Sequence, residues 1–130
     1  MSTSPPLITG VDFVTLPVDD IDAAVRFYGE ALCLPFVERW ASMPAAEFQA
    51  GNLTIALMDP RAFGGDGEVR THGTPLALQV DDVPTARALL EERGVVFLGD
   101  VLDSGACHQA LFRDPAGNVL DLHHRYAPAV

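Results

Sequence analysis

The chain has 130 residues, 48% of them hydrophobic and 20% charged, the size of one ordinary domain with enough apolar side chains to bury a core. Its net charge is -10, carried against eight scattered Arg and no Lys, which argues against nucleic-acid binding. The missing Lys excludes side-chain Schiff-base chemistry and any P-loop mechanism, whereas the acidic balance suits solubility and is compatible with cationic ligands.

The opening MSTSPPLITG lacks a basic n-region and a long apolar run, and no stretch reaches the roughly 18 uninterrupted apolar residues of a membrane span. A cytoplasmic protein with a loose arm over residues 1–10 is expected. Cys33 and Cys107 form neither a CxxC pair nor a zinc-finger spacing, so both are expected to be buried free thiols.

Phe13-Val14-Thr15-Leu16 reads as a strand, followed by the acidic turn Val18-Asp19-Asp20. Ile21, Ala24, Val25, Tyr28 and Leu32 then recur on one face of a helix, with Asp20 as its N-cap. Strands are expected over 36–40, 46–49 and 53–58. From Asp59 to Thr74, Pro60, four Gly and several charges predict a mobile connector without a core, in which His72 is solvent-exposed.

The pattern then repeats at one constant offset. Leu76-Ala77-Leu78-Gln79 and Val80-Asp81-Asp82-Val83 match the first strand and its acidic turn. Asp82 caps a second helix with Pro84 in its first turn, Ala86, Leu89 and Leu90 on its inner face, and Gly94 as the left-handed residue after it. Both helices are expected to carry Arg and Glu outward. Strands follow over 95–98, 107–113 and 119–126, the last two joined by Asp114-Pro115-Ala116-Gly117-Asn118, a turn sequence. Each half reads βαβββ.

A repeated βαβββ unit carrying FVTLPVDDIDAAVRFYGEALCLPF and FRDPAGNVLDL resembles the vicinal oxygen chelate superfamily of glyoxalases, bleomycin-resistance proteins and extradiol dioxygenases. The resemblance implies an α+β fold, two βαβββ modules (11–58 and 75–126, joined by a linker over 59–74) whose mixed sheets cup a ligand or metal within one domain over 11–126. It also implies, for metal enzymes, one ligand from the first and one from the last strand of each module. Here those positions hold Phe13, Pro75, either Ile55 or Ala56, and Asp121. Only Asp121 can bind a metal, so the familiar site, with the isomerase, thiol-transfer and ring-cleavage chemistries that need it, is not expected.

Alternation in the last strand puts Asp121 and His123 on one face, and His108 on the partner strand is expected near them. These three are the candidates for a displaced divalent-metal site, or for an Asp-oriented His123 acting as general base. The alternative assigns His108 and His123 to hydrogen bonds within the sheet and His124 to the surface. Phe13 and Trp40 offer stacking surface for a planar ligand, and Phe48 is expected in the core. Cys107 and His108 differ in strand parity, which argues against a nucleophile–base pair.

Two functions follow. One is a metal-free binder of an aromatic or cationic small molecule, using Phe13, Trp40, His108, Asp121 and His123, with no cofactor. In the bleomycin-resistance group, which this reading resembles, the active form is a homodimer with an exchanged N-terminal arm. The other is a lyase, isomerase or dioxygenase on a site rebuilt from His108, Asp121 and His123.

Overall fold

The computed structural model describes residues 4–64 and 67–128. Its first half consists of β1 (Phe13–Pro17), α1 (Ile21–Arg26), β2 (Phe36–Arg39), β3 (Ala45–Ala50) and β4 (Leu53–Met58). The second half is β5 (Leu76–Gln79), α2 (Val83–Glu92), β6 (Phe97–Asp103), β7 (Cys107–Arg113) and β8 (Val119–Arg125). Each half folds into a four-stranded mixed sheet, ordered β1-β4-β3-β2 and β5-β8-β7-β6, with the first and last strands parallel and the others antiparallel. This is the expected α+β class. The sheets stay separate, and β1 and β5 are edge strands.

One core serves both sheets. Leu16, Ala46, Phe48, Ile55 and Leu57 of the first sheet and Ala110, Phe112, Leu120 and Leu122 of the second join a single buried cluster with Tyr28, Val83 and Leu90 from the helical segments. Strand alternation therefore leaves the opposite face of each sheet outside this core.

The helix starts follow the sequence signals. Asp20 accepts a hydrogen bond from the Ala23 N–H and Asp82 from the Thr85 N–H, and Gly94 takes the left-handed conformation (φ 89°) that closes α2. The inner face of α2 differs from expectation. Val83, Ala86 and Leu90 turn to the core, whereas Leu89 is 45% exposed, because a spacing of three and then four keeps Val83, Ala86 and Leu90 on one stripe. Arg87 is not outward either: its guanidinium lies 4.9 Å from the Phe97 ring centre.

The first helix is not α-helical throughout. After Arg26 the chain widens into a π-turn over Phe27–Ala31, in which the Leu32 N–H donates to the Phe27 carbonyl. Gly29 is there against Phe48, where a Cβ would sit 3.2 Å from the ring. Neither cysteine is buried: Cys33 is exposed, at positive φ after this turn, and Cys107 is half-buried.

The stretch after β4 is more built than its composition suggests. Asp59 caps a 3-10 turn (Pro60–Phe63), and Arg61 bonds both Asp59 and the Asp19 carbonyl. At its far end His72 is half-buried, its N–H bonded to Asn118 Oδ1. β6 is longer than expected and carries an irregularity between Leu98 and Leu102 that the sequence pattern hid.

Candidate functional site

The open face of the first sheet follows from parity. In β3, Ala46 and Phe48 point to the core, so Ala45, Glu47 and Gln49 point away. In β4 Ile55 and Leu57 are buried, so Thr54, Ala56 and Met58 share that open face, and in β1 Phe13 and Thr15 do. This settles the Ile55 or Ala56 ambiguity in favour of Ala56, since Ile55 is core.

A cavity of about 280 Å³ lies on this face. Phe13, Trp40, Met43, Met58 and Phe63 wall it, with Ala56 and Glu47 also lining it. The structure thus brings Phe13 and Trp40 into one apolar, aromatic pocket. Met43 comes from the β2–β3 loop and Phe63 from the 3-10 turn, two segments whose sequences carry no period to place them. Glu47 is the ionisable side chain in the lining among the described residues; the sequence reading missed it, although its place between Ala46 and Phe48 in an alternating strand was a signal that could have found it.

Asp121 and His123 occupy the open face of the second sheet. The register pairs Asp121 with Leu111 and Ala77, and His123 with Gln109 and Gln79. His108 does not join them. It pairs with His124, on the opposite face, because adjacent residues of a strand alternate sides and the hairpin sets Gln109, not His108, across from His123. The expected convergence of His108, Asp121 and His123 is therefore corrected to two groups.

His108 belongs to a cluster at the end of β6–β8. Its Nε2 is 3.3 Å from Asp103 Oδ2, its ring packs at a tilt against Tyr126 with the ring centres 4.7 Å apart, and the Tyr126 hydroxyl donates to Asp103 at 2.7 Å. That hydroxyl and the Gly105 N–H hold the Asp103 carboxyl below the usual range, as the Thr85 bonds do for Asp82 nearby.

Asp121 is only 2% exposed, and its Oδ1 has no hydrogen-bond partner among the described residues. Burial pushes its carboxyl up, opposed by the Ala110 N–H and by His123. Burial thus disfavours the charged form of this carboxyl, which shares its sheet face with the His123 imidazole.

The hairpin turn holds the other buried acid of this region. Asp114 Oδ1 accepts from the N–H groups of Ala116, Gly117 and Asn118, and Oδ2 from Tyr28 Oη and Asn118 Nδ2. Asn118 Nδ2 also donates to the Pro17 carbonyl. The phrase FRDPAGNVLDL thus ties the second half to β1 and to the first helix, and Tyr28 itself, buried against Asp114, has its hydroxyl pKa pushed up.

The four positions at which the resemblance places metal ligands hold Phe13, Ala56, Pro75 and Asp121. Three are hydrocarbon, and among the described residues no group of three or more His, Cys, Asp or Glu is placed to hold an ion. This donor set does not fit a divalent metal.

The family model described as Glyoxalase/Bleomycin resistance protein/Dioxygenase superfamily matches residues 10–122. Among solved structures, TnmS3, an antibiotic binding protein from Streptomyces sp. CB03234, is 26% identical with a TM-score of 0.74, over 93% of this chain and 99% of that one. A member of the same superfamily from Sphaerobacter thermophilus DSM 20745 is 26% identical with a TM-score of 0.75, over 91% and 98%. Lactoylglutathione lyase from Agrobacterium tumefaciens, at 22% identity and a TM-score of 0.71 over 92% and 95%, shares the fold. No curated protein sequence gives a significant match.

Proposed function

Because the chain belongs to the Glyoxalase/Bleomycin resistance protein/Dioxygenase superfamily, we propose that it is a small-molecule-binding protein that works without the superfamily's metal and takes a planar aromatic, cationic ligand on the open face of its first sheet. The observation that carries this reading is the cavity walled by Phe13 and Trp40, in which a hydrocarbon position, Phe13, replaces a family ligand and Ala56 replaces another. Stacking on two aromatic rings favours planar ligands, and an acidic protein of net charge -10 attracts cations. The antibiotic-binding activity in the name of the Streptomyces relative supports sequestration as a use of this fold.

Trp40, the only Trp of the chain, reports on the site directly. Titration with 9-aminoacridine, a planar cation, is expected to quench its emission saturably, and added salt to weaken binding. Absence of saturable quenching, or quenching that survives Phe13→Ala and Phe63→Ala unchanged, would overturn the assignment of this cavity.

The same reading calls for a homodimer. β1 and β5 each present a free backbone edge, and Leu7, Ile8, Val11 and Phe13 form an exposed apolar run leading into β1. A second copy covering this run and the open sheet faces would close the cup that one chain leaves open. Sedimentation at micromolar concentration is expected to give a dimer; a monomer at all concentrations defeats this part. The free thiols, Cys33 exposed and Cys107 half-buried, fit a reducing, cytoplasmic setting.

A second reading, acid–base catalysis by His123 with Asp121, is favoured by the raised carboxyl and the shared face. Since His123 draws the Asp121 titration down, His123→Ala is expected to move it further up, read from the Asp121 carboxyl carbon by NMR. An unchanged titration removes the pairing on which catalysis would depend.

A further inference from the structure

The cavity on the first sheet adjoins a feature that packing does not explain. Within the β2–β3 pair the register sets Glu38 directly opposite Glu47, with an irregularity at Val37 between Phe36 and Glu38. Phe36 pairs with Phe48 and their rings lie 5.8 Å apart, and Arg39 pairs with Ala46 on the core side, where its guanidinium reaches Asp22 of α1. Glu38 therefore takes the Glu47 face, as does Trp40 two residues on.

Like charges directly opposite each other destabilise a sheet. A cation usually relieves such a pair, yet no hydrogen bond or ion pair joins either carboxylate to another described residue. The nearby arginines are committed elsewhere: Arg39 to Asp22, and Arg61 to Asp59 and the Asp19 carbonyl. Glu47 is half-buried and lines a cavity whose other walls are apolar apart from Thr15. A carboxylate held at an apolar wall forfeits hydration that a bound ammonium group would replace, and its attraction for that group is stronger there than in open water.

Resting on the binding reading above, we infer that Glu47, reinforced by Glu38, is the charge-selecting element of the site: it seats a primary ammonium group borne on a short arm by the ligand, while the ligand's aromatic body lies between Phe13 and Trp40. The ligand class is an aromatic amine whose positive charge stands beside the ring system on an alkyl carbon. Glu38, exposed at the rim, adds field but little desolvation, so its share is the smaller. The missing cation of the sheet is then the ligand itself, and the cross-strand repulsion, a cost to the empty protein, becomes differential affinity for a charged guest.

The test uses two probes of nearly equal shape, 1-naphthylmethylammonium and neutral 1-naphthylmethanol, titrated calorimetrically into the wild type, Glu47→Gln and Glu38→Gln. The wild type is expected to bind the amine about tenfold more tightly than the alcohol, as charge-assisted hydrogen bonds do. Glu47→Gln is expected to erase that preference while leaving the affinity for the alcohol within about twofold, and Glu38→Gln to reduce it about twofold to threefold. Unchanged binding of the alcohol also shows that the variants are folded. Equal binding of both probes by the wild type, or a preference that survives in Glu47→Gln, overturns the inference and leaves the aromatic site standing. Binding of neither probe overturns the site as well.

Discussion

Asp114 and Asp121 stand in the same β7–β8 hairpin region and are almost equally buried, at 4% and 2% exposure, yet they are opposites in chemistry. Asp114 accepts five hydrogen bonds, three from backbone N–H groups of its own turn, one from the Asn118 side chain and one from Tyr28 across the two halves. Asp121 has an oxygen with no partner among the described residues. Burial of a carboxylate is tolerated where its lone pairs are filled, and is costly where one is empty. The first acid therefore reads as a structural joint. The second is a store of unfavourable energy at a position that family resemblance associates with ligands.

This contrast can be broken from the Asp114 side first. Asp114→Ala removes an acceptor from five donors, three of them in a turn that depends on it, and is expected to cost about 3–5 kcal/mol, read as a large fall in Tm. A loss below about 1 kcal/mol would mean that water replaces the carboxylate and that the joint is not structural. Tyr28→Phe deletes one donor across the two halves and leaves the packing intact, so a smaller loss of about 1–2 kcal/mol is expected from urea unfolding.

The opposite sign is expected at Asp121. Its folded pKa lies above its unfolded value, so its contribution is fully favourable below the ordinary carboxylate range and is lost as pH rises through the raised value. Asp121→Asn cannot ionise. It is therefore expected to be more stable than wild type by about 1 kcal/mol at pH 7, with the difference shrinking to nothing as pH falls below the ordinary range. Destabilisation at pH 7 would show that the charged form has a partner. The smallest effect is expected at the like-charge pair, where Glu38→Gln relieves repulsion worth about 0.2–1 kcal/mol, detectable as a rise in Tm that disappears in high salt.

The open faces of the two sheets make a similar contrast. The first offers rings, methionines and an unpaired carboxylate, and the second offers a buried carboxyl whose pKa is raised, an imidazole and two glutamines. Phe13 and Trp40, which share the cavity, were both legible as candidates, Phe13 because an aromatic stands at a family ligand position and Trp40 because it offers stacking surface. Glu47 was within reach, since Ala46 and Phe48 flank it in a strand, but its partner Glu38 was not. The irregularity at Val37 shifts the pairing by one residue, and no local pattern announces it.

The sequence by itself determined the two βαβββ halves, the strands β4, β5 and β7 to the residue, both N-caps and the left-handed stop at Gly94, because each rests on the backbone preferences and side-chain spacing of a few neighbouring residues. Only the tertiary structure decided the rest. Cross-strand register parted His108 from His123. Contact with Phe48 at Gly29 accompanies a π-turn where the periodicity alone gave an α-helix. Bonds from Tyr28 and to Pro17 turned a hairpin signature into the joint between the halves, and a loop and a 3-10 turn supplied Met43 and Phe63 to the cavity. The physical reason is common to all of these: each depends on groups far apart in the chain, whose meeting is set by the packing of both sheets on one core and not by any short stretch of sequence.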